Sequence, residues 1–144
     1  MILRSASNCF RMVCMKTRHF RDLQVWQKSM ALAAAIYRFT DRFPKREVFG
    51  LTAQMRRSAV SVPSNIAEGH GRLSDRSFAL FLGHARGSLY ELESQTELAI
   101  QLAFAETAAG QEVLEQIHEI ARMLNGLLAK IRGSETATSP TGPR

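Results

Sequence analysis

Residues 113–131, VLEQIHEIARMLNGLLAKI, decide the fold. Val113, Ile117, Ile120, Leu124, Leu127 and Ile131 recur at alternating steps of four and three, while Glu115, Glu119, Arg122 and Lys130 fall between them. That spacing lines one face of a helix with branched aliphatics, which is the pattern of a helix laid along a long core. It predicts a helix over about 109–131. Outward from it, three further stretches carry the same period. Ser74 is an N-cap candidate with Asp75 in the first turn. It opens a helix to about Leu102 that buries Phe78, Phe81, Leu82, Ala85, Leu89, Leu92, Thr96 and Ala99, although an aliphatic residue would pack better than Thr96. A stretch over about 47–68 aligns Leu51, Met55, Ala59, Val62 and Ile66, and Pro63 within it should kink the helix by removing a donor. Gly69 and Gly71 should end that helix. The first stretch, about 23–40, aligns Trp26, Ser29, Ala33, Ile36, Tyr37 and Thr40 and stops before Pro44.

Four long periodic segments with short connections predict an all-α, antiparallel up-down four-helix bundle. The 144 residues suit one domain with disordered tails: a basic extension over 1–18, disordered or a misassigned start, the bundle over 19–132 and a disordered polar tail over 133–144 reading GSETATSPTGPR. Residues 1–18 lack the apolar run of a secretory signal, and Met12 and Met15 offer alternative starts. The longest apolar stretch, Met30–Tyr37, is far short of the roughly 20 residues that span a bilayer. Cys9 and Cys14 lie in the extension and cannot staple the bundle, so the expectation is a reduced, cytoplasmic protein held by packing.

Charge is unevenly placed. Residues 1–90 hold 15 basic and 5 acidic groups, residues 91–144 hold 4 and 8, so the two parts carry +10 and −4. This suits either a basic face for nucleic acid or self-association of unlike halves. Cofactor and metal motifs are missing: His118 has no second histidine at i+4, and Gly69-His70-Gly71-Arg72 follows no strand. His84 and Glu91 share a helix face without a nucleophile, so no enzyme is expected and no cofactor.

Two groups of residues stand out. Gln54, Arg57, Ser61, Asn65 and Glu68 form a polar stripe at steps of three and four, either a solvated face or a hydrogen-bonded seam inside the protein or between copies. Arg72 and Arg76 flank the start of the third helix, where unpaired backbone N–H groups already attract an anion and His70 could join them. Equally, these arginines could simply pair with Glu68 and Asp75. Lys45 and Arg46 form a second basic zone at the opposite end of the second helix.

Residues 56–72, RRSAVSVPSNIAEGHGR, together with FRDLQVWQ at 20–27, EVFGLT at 47–52, GSLYELE at 87–93 and RMLNGL at 122–127, resemble the bacterial four-helix-bundle family first met as reading frames inside 23S rRNA intervening sequences. The resemblance spans about 19–132. It implies an up-down bundle assembling as a ring-like homopentamer, and likeness to a basic accessory protein that binds nucleic acid and a reverse transcriptase. The expected function is therefore a noncatalytic homo-oligomer that binds RNA or DNA through basic loops. The alternative is a structural or protein-interaction ring, for instance an accessory to a reverse transcriptase. Residues 19–132 hold 14 basic and 12 acidic groups, a net of only +2, which limits phosphate affinity from a single copy.

Overall fold

The computed structural model describes residues 18–136. The extension before Arg18 and the tail beyond Thr136, with Met12, Met15, Cys9 and Cys14, lie outside the described residues. Helices α1 (Gln24–Thr40), α2 (Leu51–Gly71), α3 (Asp75–Gln101) and α4 (Thr107–Thr136) follow one another, with short 3-10 turns at Phe20–Asp22 and Lys45–Glu47. No strand occurs among the described residues. Packing runs α1 on α2, α2 on α3, α3 on α4 and α4 on α1. Arg86 with Asn125 and Glu93 with His118 show α3 and α4 running in opposite directions. The architecture is an antiparallel four-helix bundle.

The apolar stripes meet along one axis. Ile36, Met55, Val62, Ile66, Leu82, Leu89, Ile117 and Leu124 are all fully buried. On α4 the buried series is Val113, Ile117, Ile120, Leu124, Leu128 and Ile131; Leu128 replaces the expected Leu127, which is half-buried. On α1 the core takes Val25 and Leu32, whereas Tyr37 is exposed and Trp26 half-buried against Phe20. The alanine-rich stretch of α1 presents apolar residues all round, so periodicity alone could not choose its inner face.

Buried hydroxyls are satisfied locally. Ser29 donates to the Val25 carbonyl (2.6 Å) and Thr96 to the Leu92 carbonyl (2.8 Å), so Thr96 meets no polar debt in the core. Helix α2 continues through Pro63, which is buried inside it, and ends at Gly71. Gly69 is buried within α2 and does not end it: a Cβ there would stand 2.6 Å from the Phe81 Cβ, so the missing side chain lets α3 come close. At the other end of α2 the Glu47 carboxylate accepts from the Leu51 N–H (3.1 Å), occupying an otherwise unpaired donor. Helix α3 starts as expected, the Ser74 hydroxyl accepting from the Ser77 N–H (3.1 Å). It closes with the Phe104 N–H donating to the Ala99 carbonyl (2.9 Å), a turn that puts Ala103 at φ 56°. Helix α4 runs to Thr136, beyond the boundary expected at 132.

Candidate nucleic-acid interface

One end of the bundle gathers the start of α1, the end of α2, the start of α3 and the end of α4. Residue Arg72 is the extended cap of α2, its N–H donating to the Gly69 carbonyl (3.2 Å). Its guanidinium donates to Glu68 (3.0 Å) and lies 5.0 Å from the centroid of the Phe81 ring, so much of its charge is already engaged. Arg76, in the first turn of α3, is exposed and makes no ion pair among the described residues. It borders a shallow depression shared with Ser77, His84 and Arg132. Arg132 also makes no ion pair among the described residues, so two unneutralised guanidiniums from two helices converge beside the start of α3. Arg18, His19 and Arg21 are exposed at the same end.

His70 takes another direction. Its ring stands edge-on to Phe78 at 5.9 Å, and its Nε2 is buried without a hydrogen-bond partner among the described residues. It packs inward and does not join Arg72 and Arg76 at the surface. Lys45 and Arg46 are exposed at the opposite end, about 30 Å away along the 21 residues of α2. Arg46 sits 5.7 Å from the centroid of Phe104, in the α3–α4 connection. The two basic zones therefore do not form one patch within a chain.

The polar stripe of α2 divides in the same way. Ser61 and Asn65 are half-buried at the α2–α3 seam: Asn65 Nδ2 donates to the Ser61 carbonyl (2.8 Å) and hydroxyl (2.9 Å), and the hydroxyls of Ser61 and Ser88 lie 2.9 Å apart. Gln54, Arg57 and Glu68 are exposed and stay outside that network. The seam is a contact within the chain rather than a set of five mutually bonded groups. His84 packs on Phe81 (5.8 Å) and Glu91 accepts from Gln95 (3.3 Å), so these two do not form a pair. Among the described residues no three His, Cys, Asp or Glu side chains cluster as metal ligands. No described helix is long and apolar enough to cross a membrane.

Arg132 was missed by sequence reasoning. The signal was available in the topology, since antiparallel connectivity returns the end of α4 to the start of α3, but its position in the last turns of a helix next to a polar tail gave no chemical cue.

A family model described as 23S rRNA-intervening sequence protein matches residues 21–126, from the first turn through most of α4. The chain belongs to this family. A solved structure described as a protein with unknown function from the S23 ribosomal protein family of Bacteroides thetaiotaomicron is similar to it, with a TM-score of 0.66 and 25% identity, covering 72% of this chain and 97% of that one. No curated protein matches. The matched span of the intervening-sequence protein model contains all of α1, α2 and α3 with their connections, while Arg132 lies beyond it.

Proposed function

We propose that this intervening-sequence protein is a noncatalytic, cytoplasmic homo-oligomer, a pentamer by family resemblance, that binds RNA or DNA through the basic end of its bundle. The observation that carries this reading is the convergence of Arg76 and Arg132, unneutralised cations on two helices, beside the first turn of α3. Guanidinium groups bind phosphate oxygens in a fixed fork, and a helix start adds favourable backbone dipoles. Repetition around an assembly multiplies the contacts, which the net charge of a single bundle would otherwise limit. Neither Arg76 nor Arg132 sits on an aromatic ring among the described residues, and guanidinium contacts to phosphate carry no base information, so binding through this pair follows the phosphate backbone and discriminates little between bases.

The experiment is a salt titration of binding to RNA and to duplex DNA. Affinity should fall steeply with salt, and Arg76→Ala with Arg132→Ala should lower the log–log slope by about 2 for each copy engaged, since each phosphate contact contributes roughly one unit. A double variant that binds like the parent, with the same slope, would exclude this surface. The engagement of Arg72 by Glu68 favours a second reading, a ring whose surface serves protein contacts such as those of an accessory to a reverse transcriptase. Absence of salt-dependent binding by an assembled parent would select it.

A further inference from the structure

The outer faces of the four helices are unlike. Helices α2 and α4 turn charge outward, with Arg57 and Glu68 on one and Glu115, Arg122 and Lys130 on the other. Helices α1 and α3 expose charge as well, Lys28 and Arg38 on one and Glu91 and Glu97 on the other, but they also turn most of the large exposed apolar side chains of the four helices outward. On α1 these are Met30 and Tyr37, 46% and 45% exposed, with Ala31 and Ala34 beside them and Val60 of α2 at the edge. On α3 they are Leu80, Tyr90 and Leu98, between 44% and 59% exposed, and between them lie Gly83 and Gly87. A Cβ on either glycine would meet nothing within 4 Å.

Glycine in the middle of a helix lowers its stability, and these two have no neighbour in the chain that needs the space. Gly69 shows what such a residue does in this fold: it admits an adjacent helix. The α3 face is thus a groove at Gly83 and Gly87 rimmed by large apolar side chains, and the α1 face is a ridge.

The two faces lie on opposite sides, because α1 and α3 each pack on both α2 and α4 and occupy diagonal corners. Two different patches on opposite sides suit head-to-tail contact between copies; a two-fold contact would instead need one patch that fits itself. Helices α1 and α3 also run in the same direction. The ties of Lys28 to Glu119 and His118 to Glu93, with those of Arg56 to Tyr37 and Ser61 to Ser88 across α2, bring Met30–Tyr37 and Gly83–Leu98 to overlapping heights. At that shared level the ridge of one copy meets the groove of the next, and the row closes into a ring where successive copies also turn about an axis along the bundle. Charge agrees: Arg38 and Arg42 flank the ridge and Glu97 flanks the groove, all exposed and without ion pairs among the described residues.

We infer that copies of this chain assemble head to tail, the α1 ridge of Met30, Ala34 and Tyr37 seated in the α3 groove of Gly83, Gly87, Tyr90 and Leu98 of the next copy. This rests on the homo-oligomer reading and names its interface. It also replaces the polar α2 stripe as the interface, since the inner part of that stripe is spent inside the chain.

The test uses two variants of the full chain, Met30→Glu on the ridge and Gly87→Glu in the groove, both at exposed positions. Ala34→Glu and Gly83→Gln serve as a second pair, and circular dichroism confirms that each variant used is helical. Masses are measured by light scattering at micromolar concentration and moderate salt. The parent should be an oligomer and each variant alone a single chain. Mixed, the variants keep one intact ridge and one intact groove between them, so they should form a complex of two chains and no larger. A monomeric parent would refute the homo-oligomer reading and this interface with it. An oligomeric parent whose helical variants remain oligomeric would refute the interface alone. Monomeric variants whose mixture stays monomeric, or grows beyond two chains, would overturn the head-to-tail arrangement.

Discussion

Gly69 and Gly126 are both interior to helices, and the same change to alanine should move stability in opposite directions. Replacing a helical glycine by alanine gains about 1 kcal/mol from backbone entropy and helix propensity. At Gly126 nothing lies within 4 Å of the new Cβ, so the full gain should appear. At Gly69 the new Cβ falls 2.6 Å from the Phe81 Cβ and 3.1 Å from Phe78 Cδ2. Carbon atoms prefer about 3.5–4.0 Å, so the shorter contact falls short by about 1 Å. The Phe81 Cβ is carried rigidly by the α3 backbone, and the strain can be relieved only by moving α2 and α3 apart. Such overpacking costs about 1–3 kcal/mol. Set against the propensity gain, Gly69→Ala should lose about 1 kcal/mol while Gly126→Ala gains about 1 kcal/mol. For a chain of this size each kcal/mol is worth about 4 °C in Tm. Urea unfolding followed by circular dichroism, at one protein concentration because assembly adds to apparent stability, measures both. Stability of Gly69→Ala at or above that of the parent would show that α2 and α3 do not approach as described.

Other substitutions probe the packing and the caps. Leu89→Ala removes a fully buried side chain and should cost about 2–5 kcal/mol in the same assay. Arg56→Ala loses hydrogen bonds to Thr40 (2.9 Å) and Asp41 (2.8 Å) and a stacked position over Tyr37, and should cost about 1–3 kcal/mol. Ala103→Gly relieves the left-handed backbone after α3 and should raise stability by about 1 kcal/mol. Glu68→Ala breaks only an exposed pair four residues apart on α2 and should stay within about 0.5 kcal/mol of the parent, which separates it from Ser61→Ala, expected to cost about 1–2 kcal/mol by stranding the Ser88 hydroxyl at the seam while Asn65 keeps its bond to the Ser61 carbonyl.

The sequence alone determined the number and order of the helices. Branched aliphatics at steps of three and four on α2, α3 and α4 leave one way to hide them, and short connections permit little but antiparallel neighbours. Ser74 as a cap and the inner face of α2 were legible for the same local reasons. Tertiary structure decided what local pattern cannot express. The alanine-rich α1 has apolar atoms on every side, so only its neighbours could choose Val25 and Leu32 for the core and leave Met30 and Tyr37 outside. Gly69 reads as a helix end until α3 is in place, and then it is the point of closest approach. Arg72 and Arg76 look equivalent in the chain, yet Glu68 and Phe81 hold the first while the second stands beside Arg132, more than fifty residues away in sequence. Periodicity reports the chain's own helix, one face at a time; which charge is neutralised, and which face is left uncovered, depends on groups that only folding brings together.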